Sequence, residues 1–579
     1  MNNILKRVIW IASSGVLFIL FLTDCNYRSS ADKNLVSDDT TMIAKGRASF
    51  HQHCAGCHNF RQAGIGPNLA GLTNEVSPHW IRRFIRDPKS MLNSDDARSR
   101  KLAATYKMIM PAFDMLSEEE VNGILSYIHS YKAANANPRV DTTKGIANPI
   151  PIPIALSQME VGLELVTQVP SSSADAHHSR ARITKLDVEP NSGDVFIVDN
   201  RGKLYRLKNN IPVVYMDMAK LKPRFIHEPR VATGFGSFAF HPDFDKNGLL
   251  YTTHSESTGS GEADFGYADS IKVALQWVVT EWKATDPAAA VFTGTGRELL
   301  RVNMVTAMHG VQEIAFNAVA KPGEKDFGLL YICIGDGASV EEGYPYLAVG
   351  PGKVWGSVLR IDPLGSNSVN GQYGIPPGNP FADAKDKDTL AEIYAYGFRN
   401  PHRVTWGQSG DMLVTNIGQA HIESINLVLP GQDFGWPYRE GNFALDPYGD
   451  LTKIFPLPLN DSVFNFSYPV IAYDHDEGVA ISGGYEYAGK NIPVLRGKFL
   501  FGDIAAGRLF YAEMPGIKAG SHATIKEWSI SFKGKPTTLV ELCGNDRVDL
   551  HFGRDASGEL YLLTKADGKV YKLVSAVIK

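Results

Sequence analysis

Cys54-Ala55-Gly56-Cys57-His58 sets two thiols at Cys-x-x-Cys spacing with an imidazole directly after them. That spacing lets the thiols bond the two vinyl edges of a haem while the histidine ligates its iron. A zinc knuckle would need a second ligand pair, and the five cysteines, Cys25, Cys54, Cys57, Cys333 and Cys543, contain none. A thioredoxin-like dithiol would open a helix in a βαβ unit, whereas a loop, Gly64-Ile65-Gly66-Pro67-Asn68-Leu69, follows here. Haem c is therefore the first expected cofactor, attached through Cys54 and Cys57 with His58 as proximal iron ligand. Such attachment implies oxidising, extracytoplasmic maturation, so the expected location is periplasmic.

The N-terminus agrees with export. Lys6 and Arg7 precede an apolar run from Val8 to Leu22, shorter than the about 20 residues of a membrane span. Leu22-Thr23-Asp24-Cys25 resembles a bacterial lipobox, which implies a lipid anchor on Cys25; a plain signal peptide is the alternative. Residues 26–40 read as a polar tether. The net charge of -4 comes without a Lys/Arg run or a phosphate-cradling Gly-x-x-x-x-Gly-Lys loop, so nucleic acid is not an expected partner.

Residues 41–132 resemble a class I cytochrome c, a small all-α domain. Gly46 and Phe50 lie on the expected first helix, and in that family the glycine admits the last helix at close range. Ser117 and Glu120 form a capping box ahead of Val121, Ile124, Leu125 and Ile128, so the last helix is expected to start near Ser117. The resemblance also implies that the Pro67 carbonyl orients the His58 imidazole. A thioether as sixth ligand suits electron transfer. Met108, Met110 and Met115 all qualify by chemistry, and the family position falls on Met110 before Pro111.

Pro138, Pro149, Pro151 and Pro153 mark residues 133–157 as an extended linker. From 158 to 579 short apolar strands alternate with turns, in units at Ile183–Val198, Phe238–Thr253, Gln312–Ile334, Arg403–Asn416 and His551–Thr564. Several such units without helical patterning between them predict a β-propeller; a two-sheet sandwich is the alternative. Asp243-Phe244-Asp245-Lys246-Asn247-Gly248 imitates half a calcium loop, but His254 stands at position twelve, and Asn247-Gly248 reads as a hairpin turn.

Residues 158–579 also resemble the glucose/sorbosone dehydrogenase family of six-bladed quinoproteins. The segments that carry the resemblance are Phe238-Ala239-Phe240-His241-Pro242-Asp243-Phe244, Gly335-Asp336-Gly337, Val358-Leu359-Arg360-Ile361-Asp362-Pro363, Tyr373-Gly374-Ile375-Pro376-Pro377, Tyr396-Gly397-Phe398-Arg399-Asn400-Pro401, Ile425-Asn426-Leu427 with Gly435-Trp436-Pro437, and Ser482-Gly483-Gly484-Tyr485. It implies pyrroloquinoline quinone (PQQ) and calcium as cofactors and a sugar or related alcohol as substrate. His309 would be the base, Arg399 the cation beside the quinone carbonyl, and Asn400 its neighbour at the cofactor. Gly418 and Gln419 would hold calcium through backbone carbonyls, and Arg508 and Lys490 would meet the cofactor's carboxylates. Met308, Val311-Gln312, Ala232 and Ala506 depart from the family pattern. The expected function is a periplasmic quinohaemoprotein oxidoreductase whose haem passes electrons to a respiratory acceptor. Its alternative is a non-catalytic binding propeller that carries a cytochrome. Nothing in the sequence says whether Cys333 and Cys543 pair.

Overall fold

The computed structural model describes residues 35–54, 58, 60, 67–105, 110–131, 144–173, 179–229, 232–268, 270–386 and 388–579. The expected export segment with Cys25, and also Cys57 and Met108, lie outside the described residues. The chain divides into two compact units, Met1–Asn137 and Pro138–Lys579. No described helix is long and apolar enough to cross a membrane.

The first unit is helical. Asp39 starts the helix Thr40–His53 by accepting the Met42 amide at 2.9 Å. The capping box forms as expected, with the Glu120 amide 3.2 Å from Ser117 Oγ and the Ser117 amide 2.8 Å from Glu120 Oε2, and the helix runs Glu118–Ser130. Val121, Ile124, Leu125 and Ile128 bury one face of it against Phe50, Leu69, Ile81 and Ile85. The terminal helices cross at Gly46 and Gly123, where a Cβ on Gly46 would stand 1.8 Å from the Gly123 carbonyl oxygen. Only glycine permits that approach.

The second unit is the propeller, in which 24 described strands make six four-stranded blades; Lys535–Thr537 adds to the fifth, and Arg439–Glu440, Phe443–Leu445 and Ile454–Phe455 form a separate three-stranded sheet. The first blade is Ile183–Val188, Val195–Asp199, Lys203–Lys208 and Ile211–Asp217; the second is Phe235–Phe240, Leu249–Ser257, Leu275–Ala284 and Gly294–Met304. The third is Glu313–Phe316, Leu330–Ile334, Ser357–Ile361 and Ile393–Tyr396; the fourth is Asn400–Trp406, Met412–Ile417, Ile422–Leu427 and Ile471–Asp474. The fifth is Ile481–Glu486, Lys498–Asp503, Leu509–Glu513 and Ile525–Phe532. The sixth takes Leu550–Arg554, Leu560–Thr564 and Lys569–Ile578 from the C-terminus and its outermost strand, Ala155–Gln168, from far upstream. That strand pairs antiparallel with Lys569–Ile578, from Met159 opposite Ile578 to Gln168 opposite Lys569, and closes the ring. Closure removes the sheet edges that an open array would expose.

The first strands of successive blades lie side by side around the centre and run in one direction, as the parallel pair Leu186 and Gly553 shows. All six therefore begin at the same end of the central channel. Its interior is closed by charge: Lys185 Nζ lies 2.5 Å from Glu313 Oε1 and 2.9 Å from the Ile314 carbonyl, while Arg403 Nε lies 3.3 Å from Glu313 Oε2. Each of these three charges has a partner, which is the condition for holding a charge out of water.

Two expectations are corrected. The linker was expected to run to residue 157, but its second half is seated on the propeller. The amides of Ile146, Ile150 and Ile154 donate at 2.9 Å to the Ile454 carbonyl, Asp474 and Glu477. The intervening prolines have no N–H to satisfy. At Asp243–Gly248 a one-turn helix, Phe244–Asn247, ends on Gly248 at φ +62°, in place of a two-residue hairpin turn. Asn247 satisfies the Leu249 amide and His241 Nδ1, which stabilises the longer loop. Cys333 and Cys543 carry no disulfide.

Candidate active site

In the helical unit, Cys54 caps the first helix, its amide donating to the Phe50 carbonyl at 2.8 Å. The His58 amide returns to the Cys54 carbonyl at 3.0 Å, so the histidine follows one turn later. His58 Nδ1 lies 3.1 Å from the Pro67 carbonyl oxygen. A carbonyl only accepts, so Nδ1 carries the proton and Nε2 keeps the lone pair a metal needs. Burial outweighs that hydrogen bond and holds the imidazole below its ordinary pKa, hence neutral. Met110 is half-buried against the same core, whereas Met115 is 70% exposed. A thiol at the helix end, an oriented neutral imidazole and a half-buried thioether fit a c-type haem, whose second attachment thiol, Cys57, lies outside the described residues.

In the propeller, a loop after the strand Gly294–Met304 brings His309 to the starting end of the first strands. His309 sits at φ +47° and is 6% exposed. Tight glycines make room for it: a Cβ on Gly310 would stand 2.0 Å from Trp277 Nε1, and one on Gly335 would stand 2.3 Å from the His309 carbonyl oxygen. His309 Nδ1 is 2.8 Å from Asp336 Oδ1. The buried Asp336 also accepts from the Ala338 amide at 2.8 Å and from Trp436 Nε1 at 3.0 Å, so it acts as a carboxylate and His309 Nδ1 must donate to it. His309 Nε2 then holds the free lone pair, and no described group bonds to it.

Arg399 stands on the next turn of the same rim, its carbonyl accepting the Asp336 amide at 2.8 Å. Its guanidinium meets Glu341 Oε1 and Gln419 Oε1, each at 2.7 Å, and lies 5.9 Å from the Trp436 ring centroid. Asn416 Oδ1 accepts the amides of Arg399 at 3.1 Å and Asn400 at 3.0 Å. Asn400 is buried, and its Oδ1 has no described partner. Gln312 Nε2 donates to the Ala232 carbonyl at 3.0 Å.

The loop Gly418–Ile422 is organised by the buried Glu440. One oxygen, Oε1, accepts the amides of Gln419, Ala420, His421 and Ile422 at 2.8, 3.0, 2.8 and 3.0 Å. N–H and C=O of a trans peptide point opposite ways. Glu440 therefore turns the Gly418 and Gln419 carbonyls away from itself, and no described hydrogen bond ends on either. Two such oxygens could serve a hard cation, although no cluster of metal-ligating side chains occurs among the described residues.

His309, Arg399, Asn400, Gly418 and Gln419 thus come together. Lys490 and Arg508 do not join them. Lys490 follows the strand Ile481–Glu486 and lies exposed at the opposite end of the channel. Arg508 is consumed by Glu477 at 2.6 Å and Glu527 at 2.7 Å. Asp336 and Glu440 were missed because each meets its partner only in the folded chain, although Asp336 stands inside a quoted motif. The residues present offer an oriented base, a cation and carbonyl oxygens, which fits a polar quinone.

The sequence model described as Glucose / Sorbosone dehydrogenase matches residues 183–571, and that described as Cytochrome c matches residues 43–132. HIPL1 protein of Arabidopsis thaliana is 24% identical over 387 residues, 59% of this chain and 53% of that protein. Hedgehog-interacting protein of Homo sapiens is 26% identical over 411 residues, 69% of this chain and 50% of that protein. Quinoprotein glucose dehydrogenase B of Acinetobacter calcoaceticus is 22% identical over 343 residues, 55% of this chain and 64% of that protein. The chain spans about half the length of the first two relatives.

Proposed function

The chain belongs to the glucose / sorbosone dehydrogenase family, and on that footing we propose that it is a quinohaemoprotein dehydrogenase, oxidising a sugar or related alcohol at the propeller and passing the electrons to a haem in its cytochrome c domain. The observation that carries this reading is the His309 imidazole, fixed by Asp336 through Nδ1 and open at Nε2, at the same rim as Arg399. PQQ, when bound, supplies a two-electron hydride acceptor. His309 Nε2 takes the proton of the substrate hydroxyl, and Asp336 holds the tautomer and balances the imidazolium that results. Arg399, held by Glu341 and Gln419, stabilises negative charge that builds on an oxygen in the pocket. The Gly418 and Gln419 carbonyls are the residues that would hold calcium.

His58 and Met110 are the residues that would hold the haem iron, and an imidazole with a thioether suits electron transfer and not ligand binding. A haem accepts one electron at a time, so each turnover needs two transfers onward to a respiratory acceptor. The segment between the units keeps their effective concentration high. The apolar run Val8–Leu22 supports a periplasmic site of action, with Cys25 as a candidate lipid anchor.

A non-catalytic propeller that binds a carbohydrate or protein is the second reading. The fate of both expected partners for the cofactor's carboxylates favours it: Lys490 lies exposed at the opposite end of the channel, and Arg508 is paired with Glu477 and Glu527. Reconstitution separates the two. PQQ and Ca²⁺ added to haem-loaded protein should support haem reduction by at least one of a panel of aldoses. Failure to retain PQQ, with no reduction by any sugar, favours the second reading.

A further inference from the structure

Two buried histidines beside the rim have no part in the reaction above. His402 lies on the first strand of the fourth blade and His551 on the first strand of the sixth. Their ring centroids are 5.7 Å apart, and the residues are 6% and 2% exposed. No described group hydrogen-bonds to any of their four ring nitrogens. Each unsatisfied buried polar group costs about 1–3 kcal/mol. Apolar rings of the same shape would pack without that cost, so packing alone does not account for two imidazoles here.

The charges around the pair are mostly of one sign. Lys565, 7% exposed, sits opposite Asp549, whose carbonyl accepts its amide at 3.2 Å. Its charge acts on both imidazoles, as does that of Arg403, and His402 stands on the strand that begins with the rim residue Asn400. Burial first, then these cations, hold both imidazoles well below their ordinary pKa, so both rings are neutral and each carries one N–H. Arg403 is committed to Glu313, to the Thr184 carbonyl at 2.6 Å and to the Gln312 carbonyl at 3.1 Å. Asp549 pairs with Arg547 at 2.8 Å. The Lys565 ammonium makes no ion pair or hydrogen bond among the described residues, and burial lowers its pKa more than Asp549 raises it.

We propose that Lys565, His402 and His551 form a carboxylate-binding floor to the site, holding the anionic end of the molecule that occupies it; this rests on the functional reading above. An ammonium with three donors and two imidazole N–H groups match the lone pairs of a carboxylate. The carboxylate has two possible sources, the quinone cofactor itself or an acidic sugar substrate. The cofactor's expected cations, Lys490 and Arg508, are unavailable, whereas Lys565 stands at the correct end of the channel.

The test uses haem-loaded full chain, with PQQ plus Ca²⁺ and glucuronate as probes and glucose as the neutral control, read by equilibrium dialysis and by the ligand-induced rise in unfolding temperature. Lys565→Met should weaken at least one acidic probe about tenfold or more, as loss of a charge-assisted contact does, and leave glucose unaffected. His551→Phe should raise the unfolding temperature of ligand-free protein while abolishing the rise caused by the acidic probe. His402→Gln, which keeps a polar group, serves as a milder variant if His551→Phe fails to fold. Loss of PQQ assigns the floor to the cofactor, and loss of glucuronate alone assigns it to the substrate. Glucuronate binding through Lys565 without any PQQ binding keeps the floor and removes the quinone. PQQ binding indifferent to every variant, with no glucuronate effect, overturns the floor and leaves the dehydrogenase reading intact. Native protein that binds neither probe overturns the floor as well.

Discussion

His309 holds a backbone conformation that a side-chain-bearing residue adopts at a cost of about 1 kcal/mol, at φ +47°. The strain is kept by neighbours with no room to relax, since Gly310 abuts Trp277 and Gly335 abuts the His309 carbonyl. His309→Ala should retain ligand while turnover falls about 10²–10⁴-fold, the range for a general base. Asp336→Asn should cut kcat by a similar factor, because an amide no longer enforces the tautomer that leaves Nε2 open, with KM little changed. Steady-state rates and equilibrium binding on the same preparations check both. That His309 and Arg399 share one rim was legible from the family resemblance, because both stand in loops in or next to its motifs. Asp336 stands inside a family motif, but its role was not legible there, since its contact with a histidine 27 positions away exists only after folding. Lys490 failed as a site residue because strand direction, which short motifs do not reveal, puts it at the far end. Arg508 failed because two glutamates from separate elements satisfy it first.

Between elements, the decisive contacts are close approaches and buried carboxylates. Gly46→Ala places a methyl against the Gly123 backbone, which cannot yield as a side chain can. A loss of about 3 kcal/mol or more in the helical unit is expected, seen as an earlier denaturant midpoint followed through the haem absorption. Asp433 gives a pH-dependent counterpart. Burial raises its pKa to about 6, against one amide hydrogen bond from Gly435 at 2.8 Å. A raised folded-state value means its contribution is fully present below pH 4 or so and is lost as pH rises through about 6. Asp433→Asn should therefore stabilise the propeller by up to about 3 kcal/mol at pH 7.5 and leave it nearly unchanged near pH 4, checked by denaturation at both. The recurring units seen in the chain are the first two strands of five blades, where alternation is buried on one side and turns are polar. The fifth blade escaped as a unit because Gly483 and Gly484 interrupt its first strand; Gly484 packs so close to Leu500 that a Cβ would stand 1.8 Å from its carbonyl oxygen.

Across the propeller, closure depends on a strand drawn from residues 155–168, more than 400 positions from its antiparallel partner Lys569–Ile578. Val161 within it is fully buried. Val161→Asp should cost about 3–5 kcal/mol, the penalty of an unpaired buried charge, and should loosen the sixth blade before the others, visible as early hydrogen exchange along Lys569–Ile578. That pairing was not legible from periodicity, because only residues 155–157 fell in the expected linker and nothing local in 158–168 marks a partner at the other end of the propeller. A haem module and a six-bladed dehydrogenase-family module in one chain make a stronger joint prediction than either alone. Under anaerobic conditions, with PQQ and Ca²⁺ present, an aldose that the propeller oxidises should bring up the reduced c-type absorption bands of the same molecule, and His309→Ala should slow that rise about 10²-fold or more. A haem that stays oxidised with every aldose, in protein shown to retain PQQ, would contradict the account.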